Sequence, residues 1–181
     1  MNIYILFFII YIIFIYFNKT YIRFYPTIPV YPNSLEELDK VKFHIAKRNR
    51  SDIEFFYLTN KSISASFLPH VNENKEDIDK IVFSQLKIIR FFKYIINRIR
   101  PWQLDKTIKP INIDTAQTPA YPAGHAYQAY LVAKKLSIKY PHKKRLLYNI
   151  ALRCDMCRVK AGLHYPSDGV FSRKLVDIFN P

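Results

Sequence analysis

Glycine is scarce in this 181-residue chain, which contains only three. Folds made of strands and tight turns lean on glycine for their reversals, so the shortage favours helices. Cysteine is nearly as rare, at two residues, Cys154 and Cys157. A structural zinc site needs two further ligands at suitable spacing, and a thioredoxin-like motif sits beside a βαβ pattern. The sequence offers neither, so this Cys-x-x-Cys reads as packing inside a helix. Acidic residues are few: 14 Asp and Glu stand against 28 Lys and Arg, a net charge of +14. That balance suits nucleic acid, an anionic membrane or an anionic substrate. No basic cluster comes with an element able to read bases, which argues against nucleic acid. Abundant Lys, Asn, Ile, Tyr and Phe with little Gly and Ala is also what AT-rich codons produce. There is no internal repeat, and no group of side chains spaced as a metal site.

Half the residues are hydrophobic, enough for one domain with a sizeable core. Ile3 to Phe17 is an unbroken apolar run without charge. A cleaved signal peptide would want a basic start and a small-residue cleavage site, which the following Asn18–Arg23 segment does not supply. A buried core helix would normally show a polar face. A single membrane anchor over 1–24 is favoured, although the run is shorter than the ~20 residues of a usual span. Lys19 and Arg23 follow it while no cation precedes it, which puts the remainder on the cytoplasmic side of a single-pass topology. Pro26, Pro29 and Pro32 make 25–33 a linker, and 34–181 is the domain.

Within that domain, Asn33 or Ser34 caps a helix running to about Arg48, with Glu36 and Glu37 in its first turn. A short helix starts at Asp52, and Ser62–Val71 reads as a loop or short helix. Apolar residues at helical spacing from Ile81 to Ile99 predict one continuous helix over Glu76–Ile99. Its Lys87, Arg90, Lys93 and Arg98 keep it out of lipid. Asn112–Tyr121 reads as a loop. Helices follow from His125 to Pro141, from His142 to about Lys160, and from Pro166 to about Phe179. His44, His70 and His142 fall outside every motif.

Three stretches carry chemistry. Lys93 and Arg100 are seven apart, which on a continuous helix puts both cations on nearly one face, with Pro101 ending the helix. In Pro122-Ala123-Gly124-His125, Gly124 permits close approach of the backbone to a ligand, and the free N–H groups of a helix start favour an anion. In the third, Arg158 precedes His164, and Asp168 lies one helical turn beyond, within reach of one imidazole nitrogen. That carboxylate would fix the tautomer and leave the other nitrogen free as a nucleophile. The rigid guanidinium fork of Arg158 suits phosphate oxygens.

Lys-x6-Arg-Pro, Pro-x-Gly-His and Arg-x5-His-x3-Asp, in that order, resemble the type 2 phosphatidic acid phosphatase (PAP2) superfamily, with its class A acid phosphatases and vanadium haloperoxidases. The resemblance spans roughly Asp79 to Asp177. It implies an all-α helical bundle and a phosphatase that hydrolyses phosphomonoesters, among them lipid phosphates such as phosphatidate, through a phosphohistidine. His164 would be the nucleophile, Asp168 its partner, and His125 the proton donor to the leaving group. Lys93, Arg100, Arg158 and the Gly124 backbone would hold the phosphate, with no metal or other cofactor. Two positions depart from the usual pattern. Ala123 stands where the family has serine, removing one hydrogen bond to phosphate, and Cys157 replaces a serine before Arg158. Two rivals remain: a vanadate-dependent haloperoxidase, and a silent membrane-anchored protein that keeps the pocket for binding. Oligomeric state is not legible.

Overall fold

A computed structural model of the protein describes residues 3–17 and 30–181. Among these there is no strand. The linker expected over 25–33 lies mostly outside the described residues, as do 18–24 of the expected anchor. The apolar run forms α1 (Ile3–Phe17), and α2 (Ser34–Ala46) and α3 (Arg50–Lys61) open the domain. Two 3-10 turns, Ser64–Ser66 and Leu68–His70, lead into α4 (Lys75–Phe83), α5 (Leu86–Ile96) and the one-turn α6 (Pro101–Leu104). A long irregular stretch then reaches α7 (Gly124–Lys139), followed by α8 (Lys144–Lys160) and α9 (Pro166–Phe179).

The caps follow from the sequence. The Asn33 side chain accepts from Leu35 N–H at 3.0 Å. Asn49 and Asp52 bond each other's backbone N–H groups at the start of α3, and Asn74 accepts from Asp77 N–H at 2.8 Å. Asparagine does at three helix starts what it does poorly mid-helix.

α7 is the hub, packing against α4, α8 and α9. The sequence predicts one small-residue face on it, but Tyr127, Gln128, Tyr130, Leu131 and Val132 are buried along with Ala126, Ala129 and Ala133. A helix enclosed by neighbours on several sides has no need of a polar stripe. A second, smaller core joins Leu38 and Val41 of α2 to Ile108, Ala120, Val159 and Tyr165. It fastens α2 beside the start of α9.

One predicted element is overturned. The continuous helix over Glu76–Ile99 is broken at Ser84–Gln85 and ends at Ile96. The Gln85 side chain is committed to tertiary partners: it accepts from the Tyr127 hydroxyl and from Asn180 Nδ2 (3.2 Å) and donates to Asn180 Oδ1 (2.9 Å). At the other end Asn97 takes the left-handed conformation, φ 49°, a role asparagine tolerates better than most residues. Arg98 and Arg100 therefore leave the helix. Pro101 starts α6 instead of ending α5, as its fixed φ allows.

Candidate active site

The Asn97 turn removes the shared helix face expected for Lys93 and Arg100, and still the two meet. Lys93, in the last turn of α5, donates from Nζ to Pro119 O at 2.5 Å. Arg100 donates from Nε to Thr118 O at 2.7 Å and from Nη2 to Pro119 O at 3.5 Å. Both cations are thus gathered by one segment, 118–119, ahead of α7. Arg100 Nη1 also donates to Leu163 O at 2.9 Å and lies 3.1 Å from His164 Nε2.

That contact fixes the histidine. A guanidinium only donates, so Nε2 must be the accepting nitrogen and Nδ1 carries the proton. Nδ1 then donates to Asp168 Oδ2 at 3.0 Å. Asp168 sits in the first turn of α9, where Oδ2 also accepts the Tyr165 N–H at 2.9 Å, so one carboxylate both opens the helix and holds the imidazole. Burial, then Arg100, Lys93 and Arg158, push the His164 pKa well below its ordinary 6.5, leaving a neutral ring whose Nε2 lone pair accepts from Arg100.

Arg158, in the last turn of α8, reaches α3: Nη2 donates to Thr59 Oγ1 at 2.8 Å and Nη1 to Asn60 Oδ1 at 3.1 Å. Its Nε is buried without a partner among the described residues. α8 ends just beyond it because Gly162 turns left-handed at φ 77°, which lets Leu163 N–H bond Arg158 O at 3.1 Å. His125, in the first turn of α7, is half-buried. Burial first, then Arg158, His164, Lys93 and Arg100, lower its pKa well below 6.5. It lines an open cavity of about 260 Å³ together with Asn60, Lys61, Ser62, Lys75 and Gln128.

Lys93, Arg100 and Arg158 are all buried, and among the described residues none has a carboxylate within ion-pair distance. Burial drives the Lys93 pKa well down and that of Arg100 to about 10. Retaining three such cations side by side costs folding energy, which an oxyanion would offset. Gly124 begins α7, but a Cβ there would meet only Ile89 and Lys93, at 3.7 and 3.8 Å, so packing does not demand glycine. Ala123 offers α7 no side-chain cap. Its backbone is tied down instead, with N–H bonding Asp168 O at 3.3 Å and O accepting from Ser172 Oγ at 2.9 Å.

A transmembrane PAP2-type phosphatidylglycerolphosphate phosphatase from Bacillus subtilis has a similar structure, with a TM-score of 0.52 over 96% of this chain and 93% of that one, at 17% identity. The chain shares the fold of that phosphatase. No protein-family profile and no curated protein matches the chain in sequence. Among the described residues there is no cluster of three or more His, Cys, Asp or Glu that could hold a metal ion. Cys154 and Cys157 are free, buried thiols of α8.

The sequence reading missed Arg98, taken there only as one of the charges that keep a helix out of lipid. It is fully buried and donates from Nη1 to Asp168 Oδ1 at 2.6 Å and from Nη2 to Glu37 Oε2 at 2.7 Å. Thr59, Asn60 and Glu37 were missed as well. Each lies far from the motifs in sequence, and no local pattern marks them.

Proposed function

We propose that the protein is a phosphatase that hydrolyses phosphomonoesters through a phosphohistidine. The observation that carries this reading is the group of three buried, carboxylate-free cations around a neutral His164 whose Nδ1 is held by Asp168. Lys93, Arg100 and Arg158 neutralise the non-bridging oxygens, helped by the first-turn N–H groups of α7 at Gly124 and His125. The Arg100 N–H that rests on His164 Nε2 moves to a phosphoryl oxygen, which frees the lone pair for in-line attack. Phosphorus gains a bond to Nε2 as the bond to the ester oxygen breaks. The positive charge that develops on the ring is stabilised by Asp168. His125 gives its proton to the leaving oxygen and then, as a base, takes one from the water that cleaves the phosphohistidine.

His125 must be protonated for the first step although its pKa is depressed. A phosphate dianion beside it reverses the effect of the surrounding cations, so substrate binding itself would charge the acid. The cavity on the His125 side is where the leaving group would sit. Lys61, Asn60, Ser62 and Gln128 in its lining suit a polar leaving group, whereas phosphatidate would have to extend its acyl chains beyond it.

α1 and its flanking residues would tether this enzyme to a membrane. Residues 3–10 of α1 are apolar yet all exposed, a surface that water does not favour. Among the described residues, no helix is long and apolar enough to cross a membrane. The 15 residues of α1 reach about 22 Å at 1.5 Å each, so a full span would need the residues on either side.

Rapid quench with labelled phosphate tests the two histidine roles. His164→Ala should abolish both turnover and the acid-labile phosphoprotein. His125→Ala should lose ~10²–10⁴-fold on an alkyl phosphate and much less on an aryl phosphate of low phenol pKa, because only the former needs a proton. Full phosphoprotein in His164→Ala would refute the nucleophile, and equal losses on both substrates would refute the acid.

A further inference from the structure

The Asp168 carboxylate is held from behind by a buried chain of charges that no motif announces. Arg98 Nη1 donates to Asp168 Oδ1 at 2.6 Å and to Ser167 Oγ at 2.7 Å. On its far side the same guanidinium donates to Glu37 Oε2 at 2.7 Å, Ser34 Oγ at 3.1 Å and Pro32 O at 3.3 Å. Its Cζ lies 3.8 Å from the Tyr165 ring centroid and 4.4 Å from that of Tyr31. Glu37 in turn accepts from Ser167 N–H at 3.2 Å and from the Ser167 hydroxyl at 2.5 Å. Glu37, Arg98 and Asp168 are thus linked end to end with almost no exposure to water.

We infer that Arg98 and Glu37 are positioning residues of the active site, and that residues 31–37, which lead into and open α2, support it by clamping Asp168 through Arg98. The physical argument is one of alternatives. Asp168 Oδ2 serves two donors, His164 Nδ1 and Tyr165 N–H, in nearly one direction. Rotation about the Cβ–Cγ bond would carry Oδ2 off the imidazole, and the Arg98 bond to Oδ1 opposes that rotation. Arg98 alone would place a bare guanidinium behind the histidine and weaken the field that stabilises a ring cation. Glu37 cancels that charge while keeping the guanidinium oriented. This reading rests on the phosphohistidine mechanism proposed above.

The pair makes a prediction that a merely structural role does not. The groups facing Asp168 are Arg98, His164, Arg100 and Lys93, with Asp155 of α8, Tyr121, Tyr165 and, one step behind, Glu37. Removing a positive charge from this set favours protonation of the Asp168–His164 pair, and removing a negative charge disfavours it. In the full-length protein, Arg98→Gln should therefore lower kcat by on the order of 10²-fold with KM little changed. It should also move the acid limb of the kcat–pH profile upward. Glu37→Gln, which keeps the shape and the bonds to Ser167, should move that limb downward with a smaller loss. Arg98→Lys should recover part of the rate.

The His164 Nδ1 proton, observed by proton NMR at the far downfield edge of the spectrum, supplies a reading independent of turnover. It should shift or broaden in Arg98→Gln and stay in place in His125→Ala. Wild-type kcat, limb and proton signal in both Arg98→Gln and Glu37→Gln would overturn the inference. So would acid limbs moving the same way in the two variants. An inactive wild type whose His164 proton still responds to Arg98→Gln would refute the phosphatase reading and leave the clamp standing. If Arg98→Gln does not fold, Glu37→Gln alone decides, through the direction of its limb.

Discussion

His164 shows how a single residue can carry opposite demands. The fold keeps it neutral by burial and by three cations, and that neutrality is what a nucleophilic nitrogen needs. The consequence for stability has a definite sign. The folded pKa values of His125 and His164 lie below the ordinary 6.5, so between those values and 6.5 the unfolded chain binds more protons than the folded one. Their contribution is fully present above pH 6.5 and is lost as pH falls through the window beneath it. Thermal denaturation should therefore show a melting temperature falling below about pH 6.5, with both His125→Gln and His164→Gln flattening the slope there. Inorganic phosphate should raise the curve, because its negative charge offsets Lys93, Arg100 and Arg158. A melting temperature indifferent to both pH and phosphate would show that the cations are neutralised some other way.

At the scale of elements, the contact between α8 and α9 sets where Asp168 stands. A Cβ built on Gly169 would fall 2.0 Å from both carboxylate oxygens of Asp155, so α9 can approach α8 only because this position has no side chain. Asp155 is itself buried, with Oδ1 unpartnered among the described residues, and burial raises its pKa to about 7. Gly169→Ala should destabilise the protein by about 1–3 kcal/mol, the usual cost of overpacking. It should also lower activity by displacing Asp168. Adding Asp155→Ala should restore much of the loss, since the clash and the unpaired carboxylate disappear together. Denaturant titration of the two single variants and the double variant measures the coupling, and strict additivity would mean that the two groups do not meet.

For the whole molecule, two surfaces differ in character. The domain encloses its core around α7, while α1 lies against α5 and exposes residues 3–10. If α1 with its flanking residues is an anchor, the full-length protein should stay with the membrane fraction in alkaline carbonate, and a form starting at residue 26 should be released. That shortened form keeps Tyr31, Pro32, Ser34 and Glu37, so its turnover on a soluble aryl phosphate should match the intact chain. Release of the intact protein by carbonate would remove the anchor. A large loss of turnover in the shortened form would show that the clamp on Asp168 needs residues before 26.

Local chemistry made much of this legible without coordinates. The helix starts at Asn33 and Pro166, the ends near Lys139 and Lys160, and the reach of Asp168 to His164 depend on residues one turn apart, where capping, proline geometry and helical spacing decide. The three motifs likewise announce their charges in the sequence. What only the tertiary structure decided depends on partners distant in the chain. Gln85 breaks a helix that its own neighbours would continue, because Tyr127 and Asn180 bond its side chain. Asn97 then sends Arg100 off the helix face, and the 118–119 segment gathers it again beside Lys93. Arg98 is the clearest case. The sequence marks it only as a charge that keeps a helix out of lipid, yet it is buried between Glu37 and Asp168, 61 and 70 residues away, because only there do two carboxylates meet one guanidinium out of water.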